Sequence, residues 1–247
     1  MHAAAFSASN KTIVSIPRPK VLADLRHRLA LLERGQRSAR STIGLGVSEI
    51  DCHLPEGGLT LGAVHEFLGE AASVLAAIVA GRLSGPVLWC LGAAERGEPH
   101  GPGLAALGLN PSRLFLARCR NAKEMLWTME EGLRSAAPAV VIAEPETDIG
   151  LIESRRLQLA AEAGNTLGLV LREGGDAGRL APSAVASRWR IDPAPGGGWR
   201  LILRRCRGAV DAENEWRTRC DDASADFALA VEAGDGPGAA ARRFRPA

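Results

Sequence analysis

A chain of 247 residues that is 46% hydrophobic and 23% charged can bury a sizeable core as one domain with extra terminal segments, which excludes a wholly disordered or fibrous class. A net charge of +2 and a pI near 8.4 exclude a polycationic nucleic-acid binder, leaving only weak backbone contact open. No apolar run reaches the roughly 20 residues that cross a bilayer. The N-terminus lacks the apolar stretch of a signal peptide, and the five cysteines (Cys52, Cys90, Cys119, Cys206 and Cys220) form no C-x-x-C pair. These features predict a reduced, cytoplasmic protein with free thiols and no membrane partner.

Residues 1–19 are polar and small and read as a disordered lead-in. Over residues 20–36 the apolar positions Val21, Leu22, Leu25, Leu29 and Leu32 recur at helical spacing, and Gly35 supplies the stop. A strand–helix alternation then fills residues 37–205. Ala63–Leu68, Val87–Leu91, Leu114–Ala117, Ala139–Ala143 and Leu167–Leu171 are short apolar runs, the pattern of strands covered on both faces. Between them, Ala71–Leu83 reads as a helix. Asn121 opens a second as N-cap, with Glu124 as capping-box partner and Ala122, Met125, Leu126, Met129 and Leu133 facing the core. Asp148 is expected to cap a third that carries Leu151, Ile152 and Leu159. Repeated β–α units predict an α/β, doubly wound, mostly parallel sheet. Val185–Asp192 and Trp199–Arg205 flank a Pro-Ala-Pro-Gly-Gly-Gly turn, which predicts an antiparallel edge hairpin. Residues 206–247 read as a flexible tail, with one short helix around Asp226–Glu232.

The run STIGLGVSEIDCHLPEGGLTLGAVHEFLG, Ser41 to Gly69, leads to the turn where a nucleotide-binding protein of this kind would carry Gly-Lys-Ser/Thr. Gly69 is followed instead by Glu70, Ala71, Ala72 and Ser73. The lysine that would meet the phosphates and the hydroxyl that would hold magnesium are missing from their places. The chain's three lysines, Lys11, Lys20 and Lys123, lie far from this turn in sequence, and Glu70 would repel a triphosphate. Glu95, Glu144 and Glu173 follow strands, and they read as remains of a nucleotide site rather than as paired acid–base carboxylates. His53, His65 and His100 lack metal-ligand spacing, and no nucleophile motif is present, so no catalytic residue, metal or cofactor is expected.

The order of these segments resembles RecA across roughly residues 40 to 206. VLWCLGAAE, Val87–Glu95, stands where RecA carries its catalytic glutamate. AVVIAEP, Ala139–Pro145, is similar to the Walker B strand with Ala143 at the aspartate position. GNTLGLVLRE, Gly164–Glu173, is similar to the strand that ends in the sensor glutamine, with Glu173 at that position. Both DNA loops of RecA are trimmed. A RecA-like frame with these departures resembles the ImuA family, the accessory proteins of inducible mutagenesis. The resemblance implies a non-catalytic scaffold in a DNA-damage-induced (SOS) translesion complex. The implied partners are an ImuB-type Y-family polymerase paralogue, RecA itself and, indirectly, an error-prone polymerase alpha-subunit paralogue. Two alternatives stay open: a cell-division inhibitor similar to SulA, and a RecA-like module that binds DNA or ATP. The leucine face of Leu22, Leu25, Leu29 and Leu32 is read as a partner contact or as packing on its own core. Trp216, Arg217, Arg219 and Phe227 are read as anchors of a tail that folds on a partner. Arg188, Arg190, Arg204 and Arg205 form a basic strand cluster, either a solvated face or a weak DNA-backbone contact.

Overall fold

The structure, a computed structural model, describes residues 41–93, 97–172, 182–209, 214–219 and 230–231. The leucine helix, Glu95, Glu173 and Phe227 lie outside these residues. The apolar runs form the strands expected of them: β3 (Val64–Leu68), β4 (Val87–Leu91), β5 (Leu114–Arg118), β6 (Val140–Ala143) and β7 (Leu167–Arg172). They are followed by β8 (Ser187–Pro193), β9 (Trp199–Cys206), β10 (Asn214–Arg219) and β11 (Ala230–Val231). These nine lie in one sheet, in the order β11-β10-β9-β8-β3-β7-β6-β4-β5. The strands from β8 to β5 pair in parallel, and β9, β10 and β11 are added antiparallel. A separate antiparallel pair, β1 (Thr42–Ile43) with β2 (Leu59–Thr60), brackets a short helix α1 (Ser48–Asp51).

Helices cover both faces, which makes the sheet a doubly wound α/β layer structure of RecA-like type. On one face α2 (Ala72–Arg82) packs with Leu45, Ile50, Phe67, Trp89, Trp189 and Leu203 in the larger core cluster. On the other, α4 (Ala122–Arg134) and α5 (Leu151–Gly164) bury Met125, Met129, Leu133, Leu157 and Ala161 against Val64, Cys90 and Val170. The short α3 (Gly101–Ala106) follows β4. As expected, Asn121 caps α4, its side chain accepting from the Glu124 N–H, while the Glu124 carboxylate accepts from the Arg120 N–H one residue beyond the usual box.

Four sequence expectations are corrected. Asp148 does not cap α5: the N-cap is Gly150, without a side-chain bond, and Asp148 instead pairs with Arg172. The phase of α5 is also different. Leu151, Ile152 and Leu159 lie on its solvent side, with Ile152 75% exposed, because Ser154, Leu157, Gln158 and Ala161 face the sheet and Gln158 Oε1 accepts from the Val64 N–H. Likewise β5 is a sheet edge rather than a covered strand, leaving Phe115 and Leu116 exposed.

The fourth correction concerns the tail. Residues 214–219 continue the sheet, and the register pairs Trp216 with Leu201. Trp216 is only 8% exposed; its ring lies 6.0 Å from that of Trp189, and His53 meets it edge-on at 5.4 Å. It is a core residue rather than a partner anchor. Arg217, one step along the pleat, points outward. Replacing Trp216 with alanine is expected to cost about 3 kcal/mol, read as a lower urea midpoint, since a large buried ring is lost from a packed site. An unchanged midpoint would mean that β10 is not part of the folding unit.

Candidate ligand cleft

The carboxyl ends of β3, β4, β6 and β7 frame a cleft of about 340 Å3, the place where open α/β sheets take their ligands. Its lining includes Gly69 and Glu70 from the turn after β3, Ser73 from the first turn of α2, Trp89 from β4, Glu144 after β6, Arg172 at the end of β7, and His100 and Leu104 around α3. Glu70, Ser73 and Glu144 line it together, and Ala143, next to Glu144 in the chain, is buried at the end of β6.

The turn after β3 explains what this cleft does with its backbone. Only three residues, Gly69–Ala71, separate β3 from α2. Gly69 adopts φ 99°, and a Cβ there would lie 2.3 Å from the Ile191 carbonyl oxygen, so both conformation and crowding demand glycine. Two of the three amides of the turn, which a phosphate cradle would leave pointing at its ligand, are already used. The Gly69 N–H donates to the Arg172 carbonyl (3.0 Å) and the Ala71 N–H to the Ile191 carbonyl (3.2 Å). The turn thus stitches β3 to its two neighbours, β7 and β8, instead of opening into a nest.

The charges follow the same logic. The basic residue lining the cleft among the described residues is Arg172, whose guanidinium is engaged by Glu66 (3.0 Å) and Asp148. The Walker-type aspartate position holds Ala143, and the neighbouring Glu144 Oε1 accepts from the indole N–H of Trp89 at 2.7 Å. His100 Nδ1 accepts from the Gly103 N–H at the start of α3. Among the described residues no group of three or more His, Cys, Asp or Glu side chains is arranged to hold a metal ion, and no helix is long and apolar enough to cross a membrane.

The arginines read as a basic cluster have structural partners. Arg188 is buried, its Nε donating to Glu66 Oε2 at 2.5 Å and its Nη2 to Ser183 Oγ at 2.8 Å, so it is no DNA contact. Arg190 pairs with Asp192 at 2.6 Å, and Arg205 Nη1 donates to the Ser183 carbonyl. Arg204 is half-buried and is likewise engaged. Arg200 forks onto both oxygens of Glu215 at 2.7 Å and holds that carboxyl below the usual range. On this face Arg188, Arg190 and Arg200 are each paired with a carboxylate, and Arg205 is held by a backbone carbonyl.

The sequence reading missed the centre of these pairings. Glu66 is 3% exposed and joins Arg172 to Arg188 across three strands. The available signal was the His-Glu pair inside Val64–Leu68, two polar residues in a strand covered on both faces, which must find partners. His65 does so: Nε2 faces the Thr60 carbonyl at 3.0 Å and must carry the proton, so Nδ1 accepts from Ser187 Oγ at 2.6 Å. Ser187 Oγ in turn accepts from the Trp189 indole N–H.

Sheet order, the short turn after β3 and the strand-end cleft define the class: an α/β protein of RecA-like fold. Two curated relatives, each named Protein ImuA, come from Caulobacter vibrioides strains NA1000 / CB15N and ATCC 19089 / CIP 103742 / CB 15. Each is 36% identical to this chain, with 72% of this chain and 83% of the relative aligned. No general family profile matches the chain. At that identity and coverage, the chain belongs to the ImuA family.

Proposed function

We propose that the protein is a non-catalytic accessory scaffold of a DNA-damage-induced translesion complex, acting in the cytoplasm with an ImuB-type Y-family polymerase paralogue. Contact with RecA, and indirectly with an error-prone polymerase alpha-subunit paralogue, belongs to the same reading. The observation that carries it is family membership over most of the chain. The cleft supports its non-catalytic part: the Gly69 and Ala71 amides of the turn are bonded within the sheet, and Ala143 stands where a magnesium-organising aspartate belongs. The physical idea is reuse of surface. A RecA-like frame keeps the shape by which such domains dock while giving up the phosphate chemistry that drives a filament.

Magnesium-dependent ATP turnover by the purified full chain is expected to stay at the level of buffer. Turnover that persists through further purification and falls on changing Glu144 would overturn the non-catalytic reading. The scaffold itself is tested by co-purification with the ImuB-type protein of the same cell. Full chain, a Leu25→Asp/Leu29→Asp variant and a chain ending at residue 231 should be compared; cutting at 206 would remove β10 and its buried Trp216. A stable complex weakened by one of these changes is the expected outcome. No complex with folded protein at low or moderate salt favours the SulA-like reading, whose mark is binding to the tubulin-like division protein.

A further inference from the structure

We propose that the outer groove between α4 and α5 is a self-complementary surface through which two copies of this chain pair about a two-fold axis. The inference goes beyond the scaffold reading and does not rest on it. Strands β5, β6 and β7 lie parallel in the sheet. Helices α4 and α5, which each return the chain from the end of one strand to the start of the next, therefore run in the same direction. Arg156 Nη2 on α5 pairs with Glu130 on α4 at 2.5 Å and ties the two helices side by side. Beside that tie lies a largely apolar groove of about 370 Å3, with buried Leu157 and half-buried Leu126 at its floor and Trp127 on its wall. Six large apolar side chains are exposed among the described residues. Four of them, Trp127, Leu151, Ile152 and Leu159, belong to these two helices, and Trp127 is 61% exposed. Apolar surface gathered in this way marks an interaction face, and tryptophan is a common anchor of such faces.

Charge selects the occupant. The ionic residues of the groove are Lys123 and Glu130 on α4 and Glu153 and Arg156 on α5. Glu130 and Arg156 satisfy each other. Lys123 and Glu153, each in the first turn of its helix, form no ion pair or hydrogen bond among the described residues. One unpaired charge of each sign, on opposite walls at the same end, makes the face its own complement. A two-fold axis laid along the groove places α4 of one copy over α5 of the other, with the helices still running the same way. Lys123 of each copy then meets Glu153 of the other, so the attraction is made twice. One turn further on, the same rotation brings Trp127 of each copy to Arg156 of the other. That arginine side chain is 62% exposed, and its guanidinium can lie flat on the indole without leaving Glu130. The helices have 13 and 14 residues and are about 20 Å long, so at about 10 Å of width each the shared face is roughly 400 Å2 per copy. That is the low end of specific interfaces, and pairing in the micromolar range is expected.

The test is sedimentation equilibrium of the full chain from about 2 to 200 µM at low salt, where monomer is expected to give way to dimer. Lys123→Glu sets like charges against each other at both pair positions, and Glu153→Lys does the same with the opposite sign. Each alone should weaken the dimer roughly tenfold. Mixed in equal amounts, the two variants should dimerise again, because each now meets its complement, and the chain carrying both changes should dimerise like wild type. Trp127→Ala should weaken the dimer tenfold or more. Melting temperatures near that of wild type confirm that the variants fold, since none of the three sites is buried. A chain that stays monomeric at about 200 µM overturns the proposal. So does a dimer that the charge changes leave untouched, the result expected if residues 20–34 or the β5 edge carry the contact. Loss in both single variants without recovery on mixing rules out the two-fold arrangement. The scaffold reading is judged separately, by the co-purification above, and stands or falls without this result.

Discussion

Glu66→Gln is expected to lower the unfolding free energy by about 3–5 kcal/mol, the cost of breaking a buried ion pair on one side. Glu66 joins two guanidinium groups: Oε1 faces Arg172 Nη1 at 3.0 Å and Oε2 faces Arg188 Nε at 2.5 Å. The side chains of Glu66, Arg188 and Arg172 are only 4%, 9% and 11% exposed. Glutamine keeps the volume but leaves two guanidinium groups in a low-dielectric layer. Ser183 Oγ is a neutral partner for Arg188, and Asp148 is too exposed to compensate fully for Arg172. Equilibrium urea unfolding measures the loss. Arg188→Met in the same chain should restore a substantial part, because the pair is then removed from both sides. A single-variant loss below about 1 kcal/mol, typical of a solvent-exposed pair, would mean that water reaches the cluster. Because Arg172 lines the cleft, this variant should also disturb the amides of the turn after β3.

The second large effect is a pH dependence of stability centred on His65. Burial lowers its pKa from 6.5 to about 4, against a smaller raising effect of the bond to the Thr60 carbonyl. The geometry gives the reason: a second proton on Nδ1 would displace the hydrogen bond that Ser187 now donates, in a site closed to water. The unfolded chain therefore takes up a proton near pH 6.5 that the folded chain refuses until about pH 4. In that window the unfolded state binds more protons, so stability rises with pH. The contribution is fully present above the unfolded value, is lost as pH falls from 6.5 to 4, and is flat below. Its size is about 3 kcal/mol, from a displacement worth about 1.4 kcal/mol per pH unit. Urea unfolding between pH 4 and 7.5 should show wild type losing about that much more than His65→Gln, which cannot titrate. The slope difference is the readout, since the variant also changes packing at neutral pH. Parallel curves would mean that His65 is protonated, or solvated, in the folded state.

Much of the frame was legible in the chain. Val64–Leu68, Val87–Leu91 and Leu167–Arg172 are short apolar runs punctuated by glycine or proline, a local property that needs no partner to read. Asn121 and the triple-glycine turn announced a helix start and a hairpin for equally local reasons. The strand-end carboxylate Glu144 and the altered turn Gly69–Ser73 were legible as parts of one cleft, because segment order places strand ends together. The errors share a different cause. Asn214–Arg219 has the period-two alternation of a half-buried strand, yet its polar content read as tail, because the pattern gains stability only once β9 offers an edge. Leu151, Ile152 and Leu159 are the apolar residues that marked α5, but the sheet is faced by the side that carries Gln158 and Ser154.

By itself, then, the sequence determined the alternation of strands and helices, the parallel core, the edge hairpin and the missing phosphate-binding lysine. Each of these is written in neighbouring residues, through periodicity, turn chemistry or the plain absence of a side chain. Only the tertiary structure decided that Glu66 is joined to Arg172 and Arg188, that His65 is held neutral between Thr60 and Ser187, that Arg190 of the basic cluster pairs with Asp192, and that the Gly69 and Ala71 amides are spent on Arg172 and Ile191. Those facts depend on which strands become neighbours, and pairing energies act over a few ångströms between residues more than a hundred positions apart.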